Sequence, residues 1–429
     1  MTRFLEFVLA LLLVAVLFVV VGLLLPAERS LSHRAESNRP QQIVFDVLNS
    51  FSRFKDWNPL RQNDPQVRYT TSGPVSGEGA RLEYSSPNRR GVGSGAWEIV
   101  ESEPRQRVVY RLENDARGRE KTMTFELRPV GRNARNVELT QTYNVKYGYD
   151  LLGRYAGLYL NRTVGNDMKR GLGNLSNLLS TIPRFDYSTL ERPVQIAEIA
   201  SKNVLLVPTN APRTTEGITL AINNNMQWIR QVMEKNRLEA DGPLRLVTTE
   251  YGAENYAFDL VQPVRERQGT GSAAPAAGQR AESDEDDAAD AADGDVPRLV
   301  RLPENWAGAE GDGAPLPQLE IDLEGPVQYT QSYGGRAAYT VAIGHPAGLP
   351  AVRDQIRAWL LVHGEETQDR PFDEYLRGPQ DSFAADAEFV VYWPIKTADR
   401  PDWVAPTPVG GEQADENGEN GEEAAGGSR

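Results

Sequence analysis

The feature that most constrains this chain is the run Phe4–Leu25, FLEFVLALLLVAVLFVVVGLLL, with one charge, Glu6, in 22 residues. A helix apolar all round has no polar face to turn to water, so it must be buried or lie in lipid. At about 1.5 Å per residue it extends about 33 Å, enough for a hydrocarbon layer of about 30 Å. Each central Leu, Val or Phe favours insertion by about 0.3–0.6 kcal/mol, and the sum outweighs one peripheral acid. A cleaved signal peptide is the alternative, but its apolar core is usually about 7–15 residues and ends at a small-x-small site. Here the run continues into Pro26-Ala27-Glu28-Arg29. The expectation is a retained single-pass anchor over residues 4–25. Arg3 flanks one end and Arg29, Arg34 and Arg39 the other, which leaves the side of the soluble part open.

The 429 residues have room for two or three further domains. The net charge of −14 is concentrated: residues 268–296 carry −7 and residues 404–429 carry −5. Both stretches have the composition of solvated, disordered segments, so the insert and the tail hold the acidity and the rest is near neutral. Nucleic acid is not an expected partner, because that needs a clustered basic surface. With no cysteine and three histidines (His33, His345, His363), thiolate chemistry and Cys-based zinc sites are excluded. A multi-histidine metal centre is not expected either. There is no phosphate loop, no G-x-G-x-x-G and no G-x-S-x-G elbow, and no metal, cofactor or catalytic constellation is expected.

Beyond the anchor, Ser30–Glu36 suits a short strand, and Asn38-Arg39-Pro40 signals a helix start. Ile43, Val44, Val47, Leu48, Phe51 and Phe54 recur at helical steps until Pro59. Strand-like runs follow at 67–72, 80–85, 95–101, 107–113, 121–128 and 137–146, punctuated by Gly-Pro and Pro-Asn pairs. Leu151, Tyr155, Leu158, Leu172, Leu175 and Leu179 then predict one long helix over about 151–180. An antiparallel sheet wrapped on a long helix encloses a natural ligand cavity. The run LPAERSLSHRAESNRPQQIVFDVLNSFSRFKDWNP, with GVGSGAWEIVESEP and NDMKRGLGNLSNLL, resembles the START-like helix-grip superfamily, the polyketide cyclase/dehydrase or SRPBCC group. The resemblance implies a domain at 29–182 whose pocket is lined by such residues as Trp57, Tyr84, Trp97, Tyr110, Phe125 and Tyr143. Ordinary sheet-to-helix core is the competing reading of the same aromatics.

The second half repeats itself. Pro193-Val194-Gln195 matches Pro326-Val327-Gln328; Trp228 and Trp359 follow at 35 and 33 residues, Pro263 and Pro394 at 70 and 68. Landmarks in order at near-equal spacing predict a duplicated unit of about 70 residues, each copy strands, helix, strands. YGGRAAYTVAIGHPAGLPAVRDQIRAWL, RPFDEYLRGP, AEFVVYWPIK, EIASKNVLLVP and NYAFDLVQPV resemble the gyrase-inhibitor-like, AraC-type effector-binding domain. That resemblance implies a pseudo-two-fold α+β domain at 193–397 binding flat, hydrophobic, often cationic molecules. The family's acid sits four residues before a strand's closing proline; here that position is Asp259 in the first copy and Val390 in the second. The candidate ligand-binding set is Asp259 with Tyr339, Trp359, Tyr392 and Trp393 as walls, since aromatic faces and a buried carboxylate suit a cation.

The fold class expected is thus α+β: a transmembrane helix, a helix-grip domain and a duplicated effector-binding domain. The expected function is a membrane-tethered binding protein for hydrophobic or cationic small molecules, a sensor or carrier. The alternative is a hydrolase or cyclase using carboxylate and tyrosine as acid and base.

Overall fold

The computed structural model describes residues 2–88, 91–132, 135–267, 316–377, 383–384, 386–397 and 409–410. The acidic insert 268–296 lies outside them, as does the tail 404–429 apart from Val409–Gly410. The chain divides into two compact units, residues 1–194 with 348–367, and 195–347 with 368–429.

The first unit opens with helix α1 (Thr2–Leu24), whose side chains are almost all exposed within the fold. It is long and apolar enough to cross a membrane. Strand β1 (Glu28–Ser37) follows, then helices α2 (Gln41–Leu48), α3 (Phe54–Trp57) and α4 (Leu60–Asn63). Next come β2 (Arg68–Ser72), β3 (Arg81–Ser85), β4 (Ser94–Glu103), β5 (Arg107–Asn114), β6 (Arg119–Val130) and β7 (Asn136–Lys146). They form a seven-stranded antiparallel sheet in the order β1-β7-β6-β5-β4-β3-β2. Burial alternates along β7 and β3, as expected of a sheet with one covered face. Helices α5 (Leu151–Ala156) and α6 (Val164–Thr181) complete the domain, and Met168, Leu172, Leu175 and Leu179 of α6 join the core with α2 and the inner sheet face. This is a helix-grip arrangement.

Two helices are shorter than their sequence pattern implies. The helix expected over 151–180 is broken, with a 3₁₀ turn at Gly157–Tyr159 and turns up to Thr163. Its two apolar stripes have different partners: Leu172, Leu175 and Leu179 face the core, whereas Leu151 and Tyr155 pack against α1. One straight helix cannot serve both. The helix expected to run to Pro59 stops at Leu48. There Asn49 and Ser50 leave the helix to pair with the β2–β3 connection, Gly77 N–H donating to Asn49 O and Ser50 bridging Ser76.

The second unit contains β8 (Gln195–Ile199), β9 (Asn203–Pro212), α7 (Thr215–Lys235), β10 (Leu238–Ala240), β11 (Leu244–Tyr251) and β12 (Asn255–Glu266). After the undescribed insert come β13 (Gln328–Gln331), β14 (Gly335–Ile343), β15 (Phe372–Tyr375), β16 (Glu388–Pro394) and β17 (Val409–Gly410). The sheet order is β17-β13-β9-β12-β11-β15-β16-β14-β8, with β10 pairing β12 off the path. Thr214 caps α7 by accepting from Gly217 N–H, and its buried stripe is Ile222, Met226, Ile229 and Val232.

Helix α8 (Leu349–His363), expected as the helix of the second copy, is counted with the first unit. Its Ala358 and Val362 belong to the helix-grip core, and Gln355 Nε2 donates to Asp186 O at 2.8 Å. Gly364, at φ +79°, closes it in the left-handed conformation.

Candidate functional site

The site is built on the middle of the second unit's sheet. Antiparallel register sets Arg245 directly opposite Glu374, and Val247 opposite both Phe372 and Asp259. Phe372 in turn faces Tyr392, and Tyr392 faces Tyr339. Because paired residues share a face, Asp259, Val247, Phe372, Tyr392 and Tyr339 form one row across five strands. The next row on that face runs Leu206, Val261, Arg245, Glu374, Val390.

These rows floor a cavity of about 160 Å³, walled by Val204, Leu206, Val247, Val261 and Phe372, with Asp259, Asp369, Arg245 and Arg370 as its charged groups. A cavity of about 150 Å³ is known to hold one benzene ring, so this one has room for a single ring or branched chain. Two ion pairs govern its electrostatics. Arg245 donates through Nε and Nη2 to Glu374 Oε1, both at 2.8 Å, with both side chains buried. Arg245 Nη1 reaches Ser332 Oγ at 3.2 Å, and its guanidinium lies 5.1 Å from the Phe372 ring centre. The second pair is looser: Arg370 Nη1 is 2.9 Å from Asp259 Oδ2, but the Arg370 side chain is 46 % exposed against 17 % for Asp259. Asp259 is therefore a mostly buried carboxylate whose counter-ion sits on the solvent side.

The candidate residues separate cleanly. Asp259 lines the cavity; Tyr392 stacks behind Phe372 at 4.8 Å, and Tyr339 behind Tyr392 at 5.7 Å, extending the aromatic row. Trp393 needs correction: it neighbours Tyr392 on one strand, so its side chain points to the opposite sheet face. Trp359 needs it too, because on α8 it packs against the helix-grip core and stacks on His363 at 4.0 Å. Arg245, Glu374, Arg370 and Phe372 were not foreseen. The run Arg370-Pro371-Phe372-Asp373-Glu374-Tyr375 has no polar–apolar alternation to mark a face, and only cross-strand pairing reveals that Glu374 occupies the row beside Val390, where the expected acid was missing.

In the first unit, Trp57, Tyr84, Trp97, Tyr110, Phe125 and Tyr143 are all buried in one core. Their rings meet edge to face, Trp57 on Phe125 at 5.7 Å, Tyr110 on Phe125 at 5.8 Å and Trp97 on Tyr110 at 5.5 Å. The Tyr110 hydroxyl donates to Leu48 O. Among the described residues, Trp57 Nε1, Tyr69 Oη and Gln141 Oε1 find no hydrogen-bond partner although they are enclosed there, which is uncommon for buried polar atoms. Burial raises the pKa of Tyr84, Tyr110, Tyr143 and Tyr187, the last also through the Asp46 carboxylate. Raised folded values mean that this stabilisation is complete below the unfolded tyrosine value of about 10 and is lost as pH climbs above it. The denaturant midpoint of the first unit should hold from pH 8 to 9.5 and fall steeply by pH 11. Tyrosinate absorbance should then rise together with unfolding; an unchanged midpoint at pH 11 would contradict the burial.

Among the described residues no group of three or more His, Asp or Glu side chains could hold a metal ion. Residues 28–180 match the family model described as polyketide cyclase / dehydrase and lipid transport, and form a domain of that type. Fold comparison finds truncated norcoclaurine synthase from Thalictrum flavum, 11 % identical, covering 35 % of this chain and 93 % of that one, TM-score 0.29. Protein Ms6760 from Mycobacterium smegmatis is 14 % identical over 35 % of this chain and 91 % of that one, TM-score 0.26. The di-domain ARO/CYC StfQ of the steffimycin biosynthetic pathway is 11 % identical over 36 % and 52 %, TM-score 0.29. Scores this low carry no weight. No curated protein matches the chain.

Proposed function

We propose that this is a membrane-tethered protein that binds small hydrophobic or cationic molecules, with the second unit's cavity as its ligand site and a sensing or carrying role. The observation that carries the reading is the largely apolar cavity with Asp259 on its wall and a half-exposed arginine as that acid's partner. A flat cation entering it would exchange Arg370 for itself and lie on Val247 and Phe372. The cyclase/dehydrase-type domain supports a second apolar compartment in the same chain. Tyr333, the tyrosine of the cavity wall, donates to the carbonyls of Arg336 and Ile395 at 2.9 and 3.2 Å, which argues against its serving a guest as acid.

The same reading takes the second unit as a duplicated effector-binding domain. Exchanging β8 with β13, β9 with β14, β11 with β15 and β12 with β16 turns the order from β13 to β8 into its own reverse. Such a palindrome is what a pseudo-two-fold duplication produces, and it supports the proposal.

The test is a thermal-shift survey of the full chain in detergent with apolar, cationic and zwitterionic ring compounds. A binder should raise Tm in a saturable way. For a cationic binder, Asp259→Asn should weaken affinity about tenfold or more, the scale of a lost charged hydrogen bond. Arg370→Ala should strengthen it, because the carboxylate loses its competing partner. A panel without any shift, or equal affinities in all three proteins, would overturn the assignment of this cavity.

A further inference from the structure

The solvent side of α5 and the turn after it is apolar where a surface helix should be polar. Tyr149, Leu152, Leu158 and Tyr159 are 87, 53, 53 and 64 % exposed, and Ala156 between them is exposed as well. Leu152 and Ala156 lie one turn apart on α5, so they share a face of it; Tyr149 lies in the turn just before α5, and Leu158 and Tyr159 lie in the 3₁₀ turn just after it. The charged residues of this segment are turned away from these side chains: Arg154 is buried and Asp150 caps α5 by accepting from Gly153 N–H. An exposed apolar segment flanked by tyrosines is the composition of a membrane–water interface.

The junction with α1 makes that placement geometric. Arg154 Nη1 donates to the carbonyls of Gly22, Leu23 and Leu25 at 3.3, 2.8 and 3.1 Å, satisfying the end of α1. Tyr155 stacks on Phe18 at 4.4 Å and its hydroxyl donates to Phe18 O at 2.8 Å. Gly22 permits the approach, since a Cβ there would lie 3.2 Å from Leu151 and Tyr155. Phe18 is six residues before the end of α1, or about 9 Å along its axis. If α1 spans the bilayer, the segment bound at Phe18 must descend with it. Holding α5 in water would leave only Arg3–Phe18 to span, about 24 Å against a hydrocarbon layer of about 30 Å.

We infer that α5 and the Gly157–Tyr159 turn lie in the headgroup layer of the bilayer, so that the helix-grip domain rests on the lipid surface at a fixed angle to its anchor. This rests on the membrane-anchor reading above. The natural chain has no cysteine, so single labels are clean. Full-length Leu152→Cys, Tyr159→Cys, Val14→Cys and Val75→Cys would carry a bimane and be reconstituted into phosphatidylcholine–phosphatidylglycerol vesicles. The lipids would bear a nitroxide either near the headgroup or deep in the acyl chain. Val75 is 80 % exposed between β2 and β3, at the sheet edge opposite β1, and serves as the control. Expected are quenching at 152 and 159 by the shallow nitroxide about twofold or more above position 75, and quenching at 14 by the deep one. Quenching at 14 alone would overturn the inference while keeping the anchor. Absence of quenching at 14 would remove the anchor and the inference together. Labels at 152 and 159 that are shifted to an apolar environment yet unquenched would show a second copy covering the segment, and would also overturn the inference.

Discussion

Glu374→Leu is expected to destabilise the second unit by about 3–5 kcal/mol, and Arg245→Met by a similar amount. Each change leaves its partner's charge with little access to water, because Arg245 and Glu374 are 8 % and 4 % exposed on adjacent strands. The double variant should recover most of the loss, since an apolar pair of similar volume avoids desolvating two ions. Equilibrium unfolding in urea, followed by a probe in the second unit, would measure all three. Additive losses in the double variant would mean that the pair is not coupled, and the register that joins β11 to β15 would be wrong. The same variants bear on binding: Arg245 lies over Phe372, so the double variant should also reshape the cavity floor.

Trp57→Ala should cost the first unit about 3–5 kcal/mol, the range for deleting a large buried aromatic side chain. Trp57 holds Phe54 and Phe125 edge to face at 5.2 and 5.7 Å, and Pro59 beside it lies against Gly171 of α6. Its carbonyl accepts from Asn174 Nδ2 at 3.2 Å, so the loop is tied to α6 by backbone as well as by ring. Trp57→Phe is the informative contrast. It removes an enclosed N–H that has no partner among the described residues, which offsets part of the lost packing, and should cost about 1 kcal/mol. Thermal or urea unfolding of the first unit would compare them; equal losses for Phe and Ala would show that the indole N–H matters in a way the structure does not account for.

The helix-grip strands lie within about three residues of their expected limits because their apolar alternation and Gly/Pro punctuation are local signals. The transmembrane-length helix was legible for the same reason: hydropathy needs no partner. Asp259, Tyr339 and Tyr392 could be nominated from motif position, but nothing local says that Trp393 must face away from Tyr392 until the strand has a register. Leu151 and Tyr155 read as part of one helix with Leu172 because their spacing is helical; only packing shows that they lie against α1 while Leu172 faces the core.

What depends on neighbours along the chain is readable in the order of residues: the apolar rod, the strand and helix periods, the lack of cysteine, and where the acidic segments lie. Tertiary structure decided what depends on residues far apart in it. Arg245 meets Glu374 across 129 positions and Arg370 meets Asp259 across more than a hundred, and such pairings exist only once strands are aligned. The same holds for α8, whose amphipathic pattern specifies that one face be buried but not against which surface, and for the apolar segment at α5, which the hydropathy of a core helix resembles until its exposure is seen.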